Sequence, residues 1–137
     1  QTLSNAMDVG APSNFVRILE IFDNDFIDLK SKVESVSISD DQTAATMKDV
    51  YSTHGYLLDP HGAVGYRALD SHLERNTGAR GIVLETAHPV KFDSVNEIIG
   101  TQGKIPETVA RLASKDKHSI ELDNDYGALR EILVSKI

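Results

Sequence analysis

The stretch GIVLETAHPVKF, residues 81–92, decides how the chain is read. Gly81 to Leu84 is a continuous apolar run with a β-branched pair, the pattern of a strand whose two faces are both covered by helices. The segment that follows then leaves the carboxyl end of a strand, where ligands bind in open α/β sheets. Within it the hydroxyl of Thr86, the imidazole of His88 and the ammonium of Lys91 fall close together. The plainer alternative is a polar turn leading into the next helix.

Outward from that run the spacing of apolar residues alternates between helical and extended. Towards the amino terminus, Asp59 has the character of a helix cap with Pro60 at the first helical position. Val64, Ala68, Leu69 and Leu73 form the expected buried stripe of that helix, which stops at Asn76 to Gly78. Before it, Ser39 and Gln42 have capping-box spacing and open a helix on which Ala44, Met47, Val50 and Tyr51 share a face, with Gly55 as its carboxyl cap. Val36 and Ile38 alternate as a short strand would. Earlier still, a loop over Gln1 to Phe15 enters a helix near Asn14 that presents Phe15, Ile18, Leu19 and Phe22. A second helix from about Asp25 presents Phe26, Leu29 and Val33. Towards the carboxyl terminus come a helix over Asp93 to Ile99, a turn at Gly100 and Gly103, and a helix from Pro106. Ile120 and Leu122 read as a last short strand, followed by a helix from Tyr126 to Val134. The order describes a helix-rich α/β chain with a small, mainly parallel sheet flanked by helices, because crossovers of this length return to the same sheet.

Composition narrows the function classes. A length of 137 residues suits one domain or part of one, and 40% hydrophobic with 26% charged residues describes a globular chain rather than a disordered one. No apolar run approaches the roughly 20 residues that span a bilayer, and no basic stretch leads into an apolar one at the amino terminus, so neither a membrane partner nor a signal peptide is expected. The chain has no cysteine, which removes disulfides and thiolate metal sites and fits a reducing compartment. A net charge of -7 disfavours nucleic acid, while a small anionic substrate stays open because it needs only a few local donors.

The chemistry-bearing residues fall into a few local groups. His54, His61, His72, His88 and His118 show no spacing suited to one metal, and no Gly-x-Ser-x-Gly elbow is present. Asp59 to Gly62 sit at a helix amino terminus, where free N–H groups and the dipole favour an anion; Asp59 as a simple cap is the alternative. Thr86 carries a hydroxyl able to donate to a heteroaromatic ring nitrogen without the negative charge of an Asp, which tunes the ring's electron demand. Lys91, in the first turn of a helix, reads as an ordinary cation rather than an imine former.

Three blocks, NAMDVGAPSNF (Asn5 to Phe15), GYLLDPHGAVGYRAL (Gly55 to Leu69) and ETAHPVKF (Glu85 to Phe92), together resemble the carboxyl-terminal third of threonine synthase in its longer bacterial and fungal form. The resemblance runs over nearly the whole chain, residues 1–137. It implies a fold type II scaffold and cytoplasmic pyridoxal 5'-phosphate chemistry that converts O-phospho-L-homoserine and water into L-threonine and phosphate. It makes Thr86 the hydroxyl partner of the cofactor's pyridine nitrogen. It puts His88 and Lys91, and Asp59 and His61, near the cleft or in its support, and sets Asn14 and Arg17 in an SNFxR pattern with Val16 at its centre. In Arg17 a carboxylate or phosphate ligand and an exposed salt bridge stay open alternatives. No metal is implied. The Schiff-base lysine and the glycine-rich phosphate loop of this family lie upstream of the matched region, so this chain supplies no catalytic lysine. It is expected to be inactive alone, to pair with the upstream part of the enzyme, and to self-associate through uncovered apolar faces without it. A non-enzymatic α/β module that binds a small phospho-ligand or a protein partner is the competing reading.

Overall fold

The computed structural model describes residues 1–5, 8–101 and 103–135; Ala6 and Met7 of the first resemblance block lie outside them. The chain divides into two units, Gln1–Lys104 and a second beginning at Ile105. In the first, a 3₁₀ turn over Ser13–Phe15 leads into α1 (Val16–Ile21), followed by α2 (Phe26–Lys32), α3 (Asp40–His54) and α4 (Pro60–Arg75). A 3₁₀ turn over Pro89–Lys91 then enters α5 (Asp93–Ile99). The second unit holds α6 (Glu107–Ala113) and α7 (Tyr126–Ser135).

Local chemistry sets most of these boundaries as the sequence predicts. Asp25 caps α2 by accepting from the N–H groups of Ile27 and Asp28. Ser39 and Gln42 form the complete capping box of α3, and Gly55 closes that helix at φ 66°, a left-handed conformation a Cβ disfavours. Gly100 ends α5 in the same way at φ 75°.

Helix α3 packs on both α4 and α5, and the core lies among them. Met47 and Val50 of α3, Leu58, Ala63 of α4, Phe92 at the N-cap of α5 and Val95 within α5 are its buried apolar residues. Thr43 and Thr46 are buried beside them, each hydroxyl bonded back to the carbonyl four residues earlier, which removes the cost of an unpaired polar group. The stripe predicted for α4 is shifted. Pro60, Gly62 and Ala63 are its buried residues, while Val64, Ala68, Leu69 and Leu73 are half-buried. On α3, Tyr51 lies outside the core, 37% exposed.

The small, mainly parallel sheet is not seen in this chain: none of the described residues forms a strand. Val36 with Ile38, Gly81 to Leu84, and Ile120 with Leu122 lie outside every helix, but no second extended segment pairs with them. An apolar run becomes a strand only when another strand supplies donors and acceptors to its edge. Gly81 to Glu85 lies against a helix instead, whose backbone groups already bond within the helix.

That extended segment runs along α4 with a period of two. Gly81 meets Leu69, Val83 meets Gly65, and Glu85 meets Gly62, so the segment descends towards the amino end of α4. The intervening residues face away, with Ile82 87% and Leu84 78% exposed. Only one of the two faces expected to be covered is covered. In the second unit the helices are short and their large apolar residues are open, Leu112 at 62% and Leu133 at 60%.

Candidate functional site

The residues that bear chemistry gather where the extended segment ends against the amino terminus of α4. Asp59 is the N-cap, its extended backbone leading into Pro60. Its Oδ1 accepts from the N–H of His61 at 2.8 Å and of Gly62 at 3.3 Å. Its own N–H donates to Glu85 Oε1 at 3.0 Å. The other oxygen of Glu85 accepts from the Tyr56 hydroxyl at 2.7 Å. That bond, more than burial or the nearby charges of Glu85 and Asp59, pushes the Tyr56 phenol above its ordinary value.

A capping box normally has Glu or Gln at the third helical position reaching back to the N-cap N–H. In α4 that position is Gly62, and Glu85, 26 residues beyond Asp59, takes over the task. The exchange needs a glycine. A Cβ on residue 62 would stand 2.9 Å from Glu85 Oε1 and 3.3 Å from Asp59 Oδ2. Asp59 is fully buried, and its Oδ2 has no hydrogen-bond partner.

Of the two readings of this turn, the hydrogen bonds favour the cap over an anion site. The N–H groups of Asp59, His61 and Gly62 are all taken, and the negative charges that meet the helix dipole are the chain's own carboxylates. Asp59 is therefore a structural cap, and His61, half-buried, contributes its backbone N–H to that cap.

Thr86 follows Glu85 on the opposite side of the extended chain and is exposed. No hydrogen bond engages its hydroxyl among the described residues. Ala87 then turns inward against the core. His88 is exposed and caps the 3₁₀ turn, its Nδ1 accepting from the N–H of Val90 at 3.1 Å, so in the neutral ring the hydrogen sits on Nε2. Lys91 is exposed at the end of the same turn and makes no ion pair among the described residues.

Asn14 and Arg17 are exposed on the 3₁₀ turn and α1, and no interaction joins them to Thr86 or Asp59 among the described residues. Arg17 makes no salt bridge there either. In the same amino-terminal region Asp8 accepts from the N–H and hydroxyl of Thr2, which lowers its carboxyl below the ordinary range and ties up that carboxylate locally. An open groove lined by Gln42, Thr46, Asp49, Arg67 and Asp70 shares no residue with the Thr86 cluster, and its Arg67 is already paired with Asp70 at 3.1 Å. Among the described residues no group of three or more His, Cys, Asp or Glu is placed to hold a metal, and no helix is long and apolar enough to cross a membrane.

Glu85, Tyr56 and Gly62 are the site residues that sequence reasoning did not single out. One signal was available: an Asp-Pro helix start whose third position is Gly lacks the reciprocal half of its capping box, so its partner must come from elsewhere.

Residues 62–133 match the family model for the threonine synthase carboxyl-terminal region. Threonine synthase of Haemophilus influenzae is 42% identical over 134 residues, which are 97% of this chain and 31% of that protein. The crystal structure of threonine synthase from Escherichia coli superposes on 99% of this chain and 31% of its own length, at a TM-score of 0.80 and 39% identity. The structure of PLP-bound threonine synthase from Brucella melitensis covers 97% of this chain and 34% of its own, at a TM-score of 0.64 and 29% identity. The chain thus spans about a third of the length of the relatives it matches. By sequence and by fold, it belongs to the threonine synthase family.

Proposed function

We propose that residues 1–137 are the carboxyl-terminal part of a pyridoxal 5'-phosphate-dependent lyase that converts O-phospho-L-homoserine and water into L-threonine and phosphate, with Thr86 donating its hydroxyl hydrogen to the cofactor's pyridine nitrogen. The observation that carries the assignment of Thr86 is its hydroxyl, outward-facing and without a partner, at the end of a segment anchored on both sides. A neutral donor of this kind fits a pyridine nitrogen. A carboxylate there would hold the ring protonated and more electron-withdrawing, and Thr86 leaves it neutral. The cofactor, when bound, supplies the electron sink for proton removal and loss of phosphate from the substrate.

The chain's own part in that chemistry is orientation. Thr86 fixes one edge of the ring, and Ile82 and Leu84 extend the same outward face with apolar surface that excludes water once covered. His88 shapes the turn after Thr86, and Lys91 adds a cation close by. The imine-forming lysine and the phosphate-binding loop belong to the upstream part of the enzyme, so this chain alone does not turn over. Uncovered apolar residues support that division: Ile27 is 80% exposed, Ile21 72% and Phe26 69%, besides Ile82 and Leu84.

The test is made on the full-length enzyme. It should carry a visible cofactor absorbance that borohydride removes, and Thr86→Val should lower kcat by about tenfold or more with little change in melting temperature, the size expected for one lost orienting contact. Full-length protein without that absorbance when supplied with cofactor would favour the non-enzymatic module. Equal losses of turnover and stability would make Thr86 structural.

A further inference from the structure

We infer that Glu85 is a positioning residue for Thr86: by standing in for the missing capping residue of α4, it fixes where the neighbouring hydroxyl is presented. The inference rests on the reading of Thr86 as the contact to the cofactor's pyridine nitrogen, and adds to it the device that holds the contact in place.

Three inward anchors set the extended segment on α4, at residues 81, 83 and 85. The first two are apolar contacts, which tolerate sliding along the helix. Glu85 is directional. Its two oxygens are held by two groups of the α3–α4 connection, the N–H of Asp59 at 3.0 Å and the Tyr56 hydroxyl at 2.7 Å. Hydrogen bonds to a charged acceptor are short and angle-dependent, so they fix the register and the rotation of the segment at that residue. Successive side chains of an extended chain point to opposite sides. Holding Glu85 against α4 therefore holds Thr86 outward. On its other flank Thr86 is followed by Ala87, packed against the core, and by the His88 cap. The outward hydroxyl is bracketed on both sides while remaining without a partner itself.

Gly62 is part of the same device. The Glu85 carboxylate occupies the place its side chain would take, with only 2.9 Å between Oε1 and an added Cβ. Any larger residue at 62 must displace the carboxylate from that place and so loosen its hold on the Asp59 N–H, the directional anchor of the segment that ends in Thr86. Misplacing a contact by about 1 Å can cost about a hundredfold in rate, so a small displacement at Glu85 has room to matter.

The test uses full-length enzyme loaded with pyridoxal 5'-phosphate and reads the cofactor dissociation constant and the position of its visible band, alongside melting temperature. Glu85→Ala should weaken cofactor binding by about tenfold and move the band in the same direction as Thr86→Val. Glu85→Gln, which can accept from Asp59 and donate to Tyr56, should restore both. Gly62→Ala should reproduce the Glu85→Ala effect while leaving Glu85 in place, and should add nothing further in a Glu85→Ala background; it also serves if Glu85→Ala fails to fold. If Thr86→Val shifts the band and the affinity while Glu85→Ala and Gly62→Ala change neither, the positioning role is overturned and the Thr86 contact stands. If Thr86→Val itself changes neither, the contact is wrong and the inference falls with it.

Discussion

Helices α3 and α4 start with the same problem, an N-cap N–H that the helix itself cannot satisfy, and they solve it over different distances. At α3 the solution is local: Ser39 donates its N–H to Gln42 Oε1 at 2.9 Å, and Gln42 returns its own N–H to the Ser39 hydroxyl at 3.3 Å. At α4 only half is local. Asp59 accepts from the first turn, but its N–H goes to a carboxylate on another segment. The first arrangement stabilises a helix and nothing else. The second fastens the start of α4 to the end of the segment that carries Thr86, so a capping interaction becomes a tertiary link.

The difference predicts unequal consequences of breaking each cap. The largest belongs to Glu85→Ala, which removes a charged acceptor from two donors and leaves the Asp59 N–H unpaired, at a cost of about 2 kcal/mol. Amide exchange at Asp59 and along residues 81–86 of the full-length enzyme should quicken together. Exchange that quickened at Asp59 alone would show that the link holds only the helix. Gly62→Ala sharpens the point through its dependence on Glu85. With Glu85 present it should destabilise by about 1 kcal/mol because the carboxylate must leave its donors. With Glu85→Ala in place that cost should vanish, the preference of a helix for Ala over Gly offsetting the remaining 3.3 Å approach to Asp59 Oδ2. Gln42→Ala comes next, costing about 0.5–1 kcal/mol, with the loss of amide protection confined to the first turn of α3 and no change at Thr86.

The same contrast explains which features the sequence discloses. Ser39 with Gln42, Gly55, Asp59 with Pro60, and Gly100 are recognisable because their physics acts within a few residues, and each stands where its spacing predicts. Gly81 to Leu84 is harder to read because its apolar run looks the same whether a strand or a helix lies beside it. Two glycines of α4, Gly62 and Gly65, let the segment lie along a helix, while Ile82 and Leu84 remain on the uncovered side. Among the candidate site residues, the cap at Asp59 is legible from residue chemistry, and Thr86 is proposed from its hydroxyl and from the family resemblance. Glu85 and Tyr56 are not legible, because their bonds, to Asp59 and to each other, span 26 and 29 residues.

The smallest effect concerns the outer half of the link, and it carries a pH signature the α3 cap cannot show. The Tyr56 phenol ionises above its ordinary value near 10, chiefly because it donates to Glu85. A group whose folded pKa is raised contributes stability that is fully present below its unfolded pKa, and that contribution is lost as pH rises through the folded pKa. The Tyr56–Glu85 bond should thus support the fold undiminished at neutral pH and fail in the alkaline range, where phenolate and carboxylate repel. Tyr56 is 54% exposed, so solvent screens the interaction and the effect is modest. Denaturant midpoints of the full-length enzyme and its Tyr56→Phe variant, compared from neutral pH upwards, should differ slightly in favour of tyrosine at first. They should converge and then cross above about pH 10, since phenylalanine has no charge to acquire. A difference that stays constant across that range would mean Tyr56 contributes by packing alone, leaving Asp59 as the sole anchor of Glu85. The link at α4 would then differ from the Ser39 cap in reach but not in the number of groups that hold it.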